Sequence, residues 1–285
     1  MRIIKTPRIN GLGNSGSEKA PNLILAELDR LGRPLNLDIE EIHVNNDDVE
    51  ESERLIYENA KEEFEICDSL IFLGGDHSIS FPIVRGFMDV DFENRSQILD
   101  SKSRPPTHDS ESVNSTVKRI DSSKKFLIVF DAHADCMKPM KEPTHEEWLR
   151  GVIDSGFNPE NIVLIGCRKI EDVERVFLNS AGVRVFSGDG NMEGIADYVT
   201  EKAMGKDVYI SIDIDVLDPA FAPGVNYPEP AGLTSKEFFY LLKRIFHLPK
   251  IRGLDLVEVV PEKDRGGLTV KTSAKVLEMF LKRDG

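Results

Sequence analysis

The chain has 285 residues, 40% of them hydrophobic and 30% charged, with a formal net charge of -14. That length buries a large core, and no apolar run approaches the roughly 18 residues needed to span a bilayer. So acidic a surface repels phosphate backbones and anionic lipids, which argues against nucleic acid and membrane as partners; it weakly favours a cationic small molecule, or it serves solubility alone.

Short apolar runs at 3–8, 37–44, 69–73, 126–130, 161–165, 183–186, 208–215 and 251–257 read as strands. Several are continuous, as in Phe126-Leu127-Ile128-Val129-Phe130, which suits strands covered on both faces of a parallel sheet. Helical stretches lie between them at 50–67, 144–155 and 234–246. The last opens with Thr234 and, three residues on, Glu237, the pattern of a capping box. The alternation predicts one α/β domain over 1–285, a three-layer α/β/α with a mostly parallel sheet. Residues 94–125 break the pattern, with eight serines, Pro105-Pro106 and few large apolar side chains. Such a segment buries too little surface to offset its ordering entropy, and it is expected to be a mobile surface insertion.

Cys67, Cys136 and Cys167 are odd in number and widely spaced, as in reduced cytosolic thiols rather than a disulfide framework. Residues 1–7 lack the apolar stretch of a signal peptide, so a cytoplasmic location is expected.

Three segments carry chemistry, each at or just past the end of an expected strand: Gly74-Gly75-Asp76-His77-Ser78, Asp131-Ala132-His133-Ala134-Asp135, and Ser211-Ile212-Asp213-Ile214-Asp215. Ligands of open parallel sheets gather at the carboxyl ends of strands, so all three segments are expected in one crevice. Extended backbone sends alternate side chains to one face. Asp131, His133 and Asp135 would then project together, as would Asp213 and Asp215. Taken singly, an Asp-x-His pair is ordinary on a surface and Gly-Gly-Asp-His is an ordinary turn. Together they bring four carboxylates into one place, where they repel unless compensated. Two divalent cations balance four ionised aspartates beside neutral histidines. Oxygen-rich ligation with some imidazole favours manganese over zinc, cobalt or iron.

These motifs, with Val216-Leu217-Asp218-Pro219 and Gly253-Leu254-Asp255-Leu256-Val257-Glu258, resemble the ureohydrolases: arginases, agmatinases and formiminoglutamases. The resemblance implies an eight-stranded, mostly parallel sheet and a homotrimer or homohexamer. It implies that His77, Asp131, Asp135 and Asp213 hold one metal and that His133, Asp131, Asp213 and Asp215 hold the other, with Asp131 and Asp213 bridging. It implies that Glu258 pairs with a guanidinium group, a geometry that can be bidentate. The reaction expected is hydrolysis of a guanidino or formimino C–N bond, using water activated by two Mn2+ ions. His145, in the loop after Asp135, is the candidate proton donor to the leaving amine. It is equally readable as part of a helix N-terminus, because Thr144-His145-Glu146 lacks the glycine that follows the family's histidine. Cys136 is read as packing, and His43, His108 and His247 as structural or exposed.

The chain departs from the family pattern around the substrate. After Pro223 the chain reads Gly224-Val225-Asn226-Tyr227-Pro228-Glu229 where the family usually has Gly-Thr-Gly-Thr-Pro, Val260 replaces an asparagine, and residues 137–143 lack the Ser-Gly-Asn of arginases. Agmatine is the first expectation, from the missing arginase loop and the acidity; arginine, guanidino acids and formiminoglutamate stay open. Two readings compete. A histone-deacetylase-like amidohydrolase would use one zinc, against which His77 and Asp135 argue. A non-catalytic metal-binding protein would have lost a ligand, and none is missing.

Overall fold

The computed structural model describes residues 1–10, 15–32, 37–95 and 122–283. Its strands are β1 (Arg2–Thr6), β2 (Asp38–Glu41), β3 (Leu70–Gly74), β4 (Lys125–Phe130), β5 (Ile162–Ile165), β6 (Arg184–Phe186), β7 (Asp207–Asp213) and β8 (Ile251–Val257). Its α-helices are α1 (Ala20–Arg30), α2 (Val49–Ile66), α3 (Ser80–Met88), α4 (Trp148–Asp154), α5 (Asp172–Ala181), α6 (Met192–Ala203), α7 (Ser235–Ile245) and α8 (Leu268–Leu281). The eight strands form one sheet in the order β2-β1-β3-β8-β7-β4-β5-β6, and every pairing is parallel.

The two-residue period of a strand divides the core into two layers. Phe126, Ile128 and Phe130 pack with Ile24, Val199, Leu241 and Leu277 of α1, α6, α7 and α8 on one face. Leu127 and Val129 pack with Phe64, Val84, Leu149 and Leu178 of α2, α3, α4 and α5 on the other. Continuous apolar runs are required because both faces are covered. The outer strand β2 is exposed along its whole length and reads Asp-Ile-Glu-Glu, a charged edge that discourages pairing with another chain.

Element boundaries differ from the sequence reading for local reasons. β1 stops at Thr6 because Pro7 has no N–H to continue a ladder. β7 stops at Asp213, and Ile214–Val216 turns as a 3-10 helix. α4 begins only at Trp148. Thr144 N–H donates to Glu147 Oε2 and Glu147 N–H donates to the Thr144 carbonyl, which closes a turn ahead of the helix. α7 has the expected capping box, with Thr234 and Glu237 each accepting the other's backbone N–H.

Of the expected insertion, 96–121 lies outside the described residues. Its edges need correction: Lys125 is the buried first residue of β4, with Nζ donating to the Val90 carbonyl at 2.8 Å beneath the Phe87 and Phe92 rings. Arg95 is likewise tied down, to the Cys67 carbonyl and Asp68. Among the described residues, no helix is long and apolar enough to cross a membrane.

Candidate active site

The site lies past the carboxyl ends of β3, β8, β7 and β4, which are neighbours in the middle of the sheet. Each strand end delivers its residues differently. After β3 the chain turns through Gly74 and Gly75, where bulk is forbidden: a Cβ on Gly75 would sit 2.0 Å from the Arg8 carbonyl oxygen. Asp76 then caps a 3-10 turn by accepting from Ser78 N–H, and His77 opens that turn.

After β4, residues 131–135 are not an extended strand, which corrects the alternation argument. Asp135 has φ of 48°, and what holds it is α4: Leu149 N–H donates to its carbonyl and Trp148 Nε1–H donates to Oδ2 at 2.9 Å. After β7, Asp213 Oδ1 accepts from Asp215 N–H at 2.8 Å, so the two carboxylates are set by a tight turn rather than by a strand's pleat. Asp215 Oδ1 in turn accepts from Ala132 N–H, which couples the ends of β7 and β4.

The six residues singled out as ligands come together. His77 Nδ1 lies 3.1 Å from Asp131 Oδ2, 3.1 Å from Asp135 Oδ2 and 3.4 Å from Asp213 Oδ2. His133 Nδ1 lies 3.0 Å from Asp215 Oδ2 and 3.6 Å from Asp131 Oδ1. Two compact ligand sets result, His77 with Asp131 and Asp213, and Asp131 with His133 and Asp215; within each, the ligand atoms lie within 4.8 Å of one another. Asp131 belongs to both sets, and Asp213 falls in the first alone.

The donor set fits a pair of divalent cations. His77 Nδ1 and Asp131 Oδ2 are buried and make no hydrogen bond, an arrangement that costs free energy unless a cation or proton is shared there. The electrostatics of the cluster point the same way. Burial disfavours charge on His133, yet Asp131 and Asp215 push its pKa up to about 12. His77 is likewise buried, yet Asp131, Asp135 and Asp213 hold it well above the usual histidine range. Burial and then Asp131 raise Asp135 to about 7. Burial, then Asp215 and Asp131, push Asp213 well upward. The cluster is short of positive charge and takes up protons to compensate, which divalent cations would replace.

Glu258 follows β8 with φ of 63°. Its N–H donates to the Gly75 carbonyl and its Oε1 accepts from His77 N–H at 2.8 Å. Burial, reinforced by Asp76, raises its pKa well above the usual range. His145 is buried beside the same cavity, its ring stacked on Tyr227 with centroids 5.7 Å apart. It sits in the turn before α4 rather than in the helix, with Nδ1 3.3 Å from the Asn10 side-chain amide and a buried Nε2 that makes no hydrogen bond. Burial lowers its pKa, against the opposing fields of Asp76 and Glu146.

The cavity has a volume of about 390 Å³, and its mouth is lined by Glu146, Lys169, Tyr227 and Glu229. None of these four was given a role from sequence, although Tyr227 and Glu229 lie in the segment that departs from the family pattern. Arg168 places Glu229 and the Asp215 turn together, donating to the carbonyls of Asp215, Val216, Glu229 and Pro230. Trp148 was also missed, although the chain's single tryptophan beside an acidic motif was a signal. Cys136 is buried in the apolar layer, and His43 and His247 are exposed.

The family model described as the arginase family matches residues 3–101 and 107–282. A formimidoylglutamase from Halobacterium salinarum is 29% identical over 86% of this chain and 72% of its own length. An agmatinase from Bacillus cereus is 33% identical over 74% of each chain. The solved structure of proclavaminate amidino hydrolase from Streptomyces clavuligerus superposes with a TM-score of 0.77 and 26% identity, covering 99% of this chain and 90% of that one. The all-parallel sheet, the paired ligand sets and these matches lead to one conclusion: the chain belongs to the arginase family and is a ureohydrolase.

Proposed function

We propose that the chain is a manganese-dependent hydrolase of the agmatinase kind, cleaving a guanidino group from a substrate with a cationic tail. The observation that supports the tail preference is the cavity mouth. Glu146 and Glu229 face it beside the Tyr227 ring, and Lys169, the one lysine or arginine among the described lining residues, is held 2.9 Å from Glu171. Two carboxylates and an aromatic face suit an ammonium group and disfavour a carboxylate.

When bound at the two ligand sets, divalent cations would lower the pKa of water enough to provide the nucleophile near neutral pH. The chain's own residues do the rest. Glu258 orients the guanidinium by charge-assisted hydrogen bonds. Its raised pKa reflects a buried negative charge, and a guanidinium in the cavity offsets that charge, so substrate binding restores the carboxylate. His145, kept neutral by burial, accepts a proton as the C–O bond forms and returns it to the leaving nitrogen as the C–N bond breaks. Tyr227 fixes its ring plane by stacking. A second reading, a formimino acid as substrate, draws support from Lys169 in the lining and from the formimidoylglutamase relative.

The test is a panel of agmatine, arginine, guanidinobutyrate and formiminoglutamate with added manganese, read out as urea or formamide. Agmatine is expected to have the highest kcat/KM. In Glu229→Gln and Glu146→Gln, KM for agmatine should rise roughly threefold to thirtyfold, with kcat nearly unchanged, because the tail is bound equally in ground and transition states. Preferential turnover of formiminoglutamate would refute the agmatinase reading.

A further inference from the structure

Asp255 is a fully buried carboxylate in the middle of β8, and among the described residues it belongs to no metal set. Among the described residues no lysine or arginine pairs with it. The register places it beside Ser211 on β7, and Tyr209 shares that face of β7 two residues earlier. Three hydroxyls donate to it: Ser211 Oγ to Oδ1 at 2.7 Å, Tyr209 OH to Oδ2 at 2.8 Å, and Ser80 Oγ to Oδ2 at 2.9 Å. Ser211 Oγ also lies 2.9 Å from His77 Nε2.

Proton counting then assigns the histidine tautomer. A serine hydroxyl has one proton to give, and Asp255 takes it. Towards His77 the serine can only accept, so Nε2 carries hydrogen. With a cation in place the imidazole is neutral, and the remaining lone pair is on Nδ1. That nitrogen is the one within 3.4 Å of Asp131, Asp135 and Asp213. We propose that Asp255 is a positioning residue for the metal centre, acting through Ser211 to hold His77 in the orientation and tautomer that present Nδ1 to the first ion. This rests on the reading that His77 holds an ion. Outer partners of this kind commonly contribute roughly tenfold to a hundredfold in metal affinity.

The experiment uses the full chain and its variants Ser211→Ala, Asp255→Asn, Tyr209→Phe and His77→Asn. Three quantities are read: manganese affinity by chelator competition, thermal melting of the metal-free protein, and the ring N–H proton signal of His77 in the zinc-loaded protein. Ser211→Ala and Asp255→Asn should each weaken one of two manganese ions by roughly tenfold or more, and the double variant by no more than either, because they break one chain of bonds. Both should move the His77 N–H signal upfield and speed its exchange. Tyr209→Phe, which leaves the Ser211 link intact, should stay within about threefold of wild type in affinity and keep the signal. Should Asp255→Asn fail to fold, Ser211→Ala decides alone. If His77→Asn loses an ion while Ser211→Ala keeps wild-type affinity, the positioning role is refuted and the metal site stands. If His77→Asn retains both ions, the metal site at His77 is wrong and the positioning role goes with it. Affinity losses that merely track metal-free melting across all the variants also overturn it.

Discussion

Asp215 and Glu258 line one cavity and should fail differently when their charge is removed. Asp215 Oδ2 belongs to the ligand set of His133. Asp215→Asn keeps the shape and removes a charge, so one manganese ion should bind at least about tenfold more weakly, and excess manganese should restore part of the activity. Glu258 Oε1 accepts from His77 N–H, a bond that the amide oxygen of Gln preserves. Glu258→Gln should therefore keep its metal content and lose roughly tenfold to a hundredfold in kcat/KM, the value of a charge-assisted hydrogen bond. Metal content and urea release across a manganese titration separate the two. Loss of metal from Glu258→Gln, or full activity on every guanidino compound, would show that the residue does not hold the guanidinium.

Among the elements, β4 carries a cost at its first residue. Lys125 is buried against Phe87 and Phe92, and burial lowers its pKa from 10.5 to about 8 despite the opposing field of Asp207. A lysine whose folded pKa lies below its unfolded value destabilises the fold at every pH where both states are protonated. The cost is fully present below about pH 8 and is relieved between about pH 8 and 10.5, where only the unfolded chain holds the proton. The shift corresponds to about 3 kcal/mol. Lys125→Met should thus raise stability at pH 7 by roughly 1 to 3 kcal/mol, less the hydrogen bond to Val90, and should flatten the rise in stability between pH 8 and 10.5. Urea denaturation across that range checks both; a variant less stable at pH 7 would mean that the ammonium is net favourable where it sits.

At the scale of the whole molecule, the proposed metal ligands come from strand ends that are far apart in sequence, from His77 to Asp215. Cations that bind the folded chain and not the unfolded one stabilise it by mass action, about 2.7 kcal/mol per site at a hundredfold excess over Kd. Chelation should lower the melting temperature by several degrees, and manganese should restore it with a stoichiometry of two per chain. Elemental analysis giving one ion or none, or melting indifferent to chelator, would contradict a binuclear centre. Two divalent cations would leave the molecule acidic, so the proposed cationic substrate would be attracted over a longer range than the cavity itself, an effect that salt should weaken.

Sequence by itself determined the sheet-forming segments, because two-sided burial demands continuous apolar runs such as 126–130, and it identified the His and Asp residues that the fold gathers at the strand ends. The α7 cap was legible for the same reason: a capping box is a contact between residues three apart. Tertiary structure decided everything that depends on partners distant in the chain. Alternation along an extended strand did not produce the convergence; the Asp213–Asp215 turn and the grip of Trp148 on Asp135 did. Lys125 looked like the edge of a polar insertion until Phe87 and Phe92 covered it. Asp255 was one polar residue in an apolar run until parallel register set Ser211 beside it and His77 beyond. Local hydrogen bonding and periodicity are written in neighbouring residues, whereas the acidic mouth and the support behind His77 exist only once loops and strands separated by up to about 180 positions close on one another.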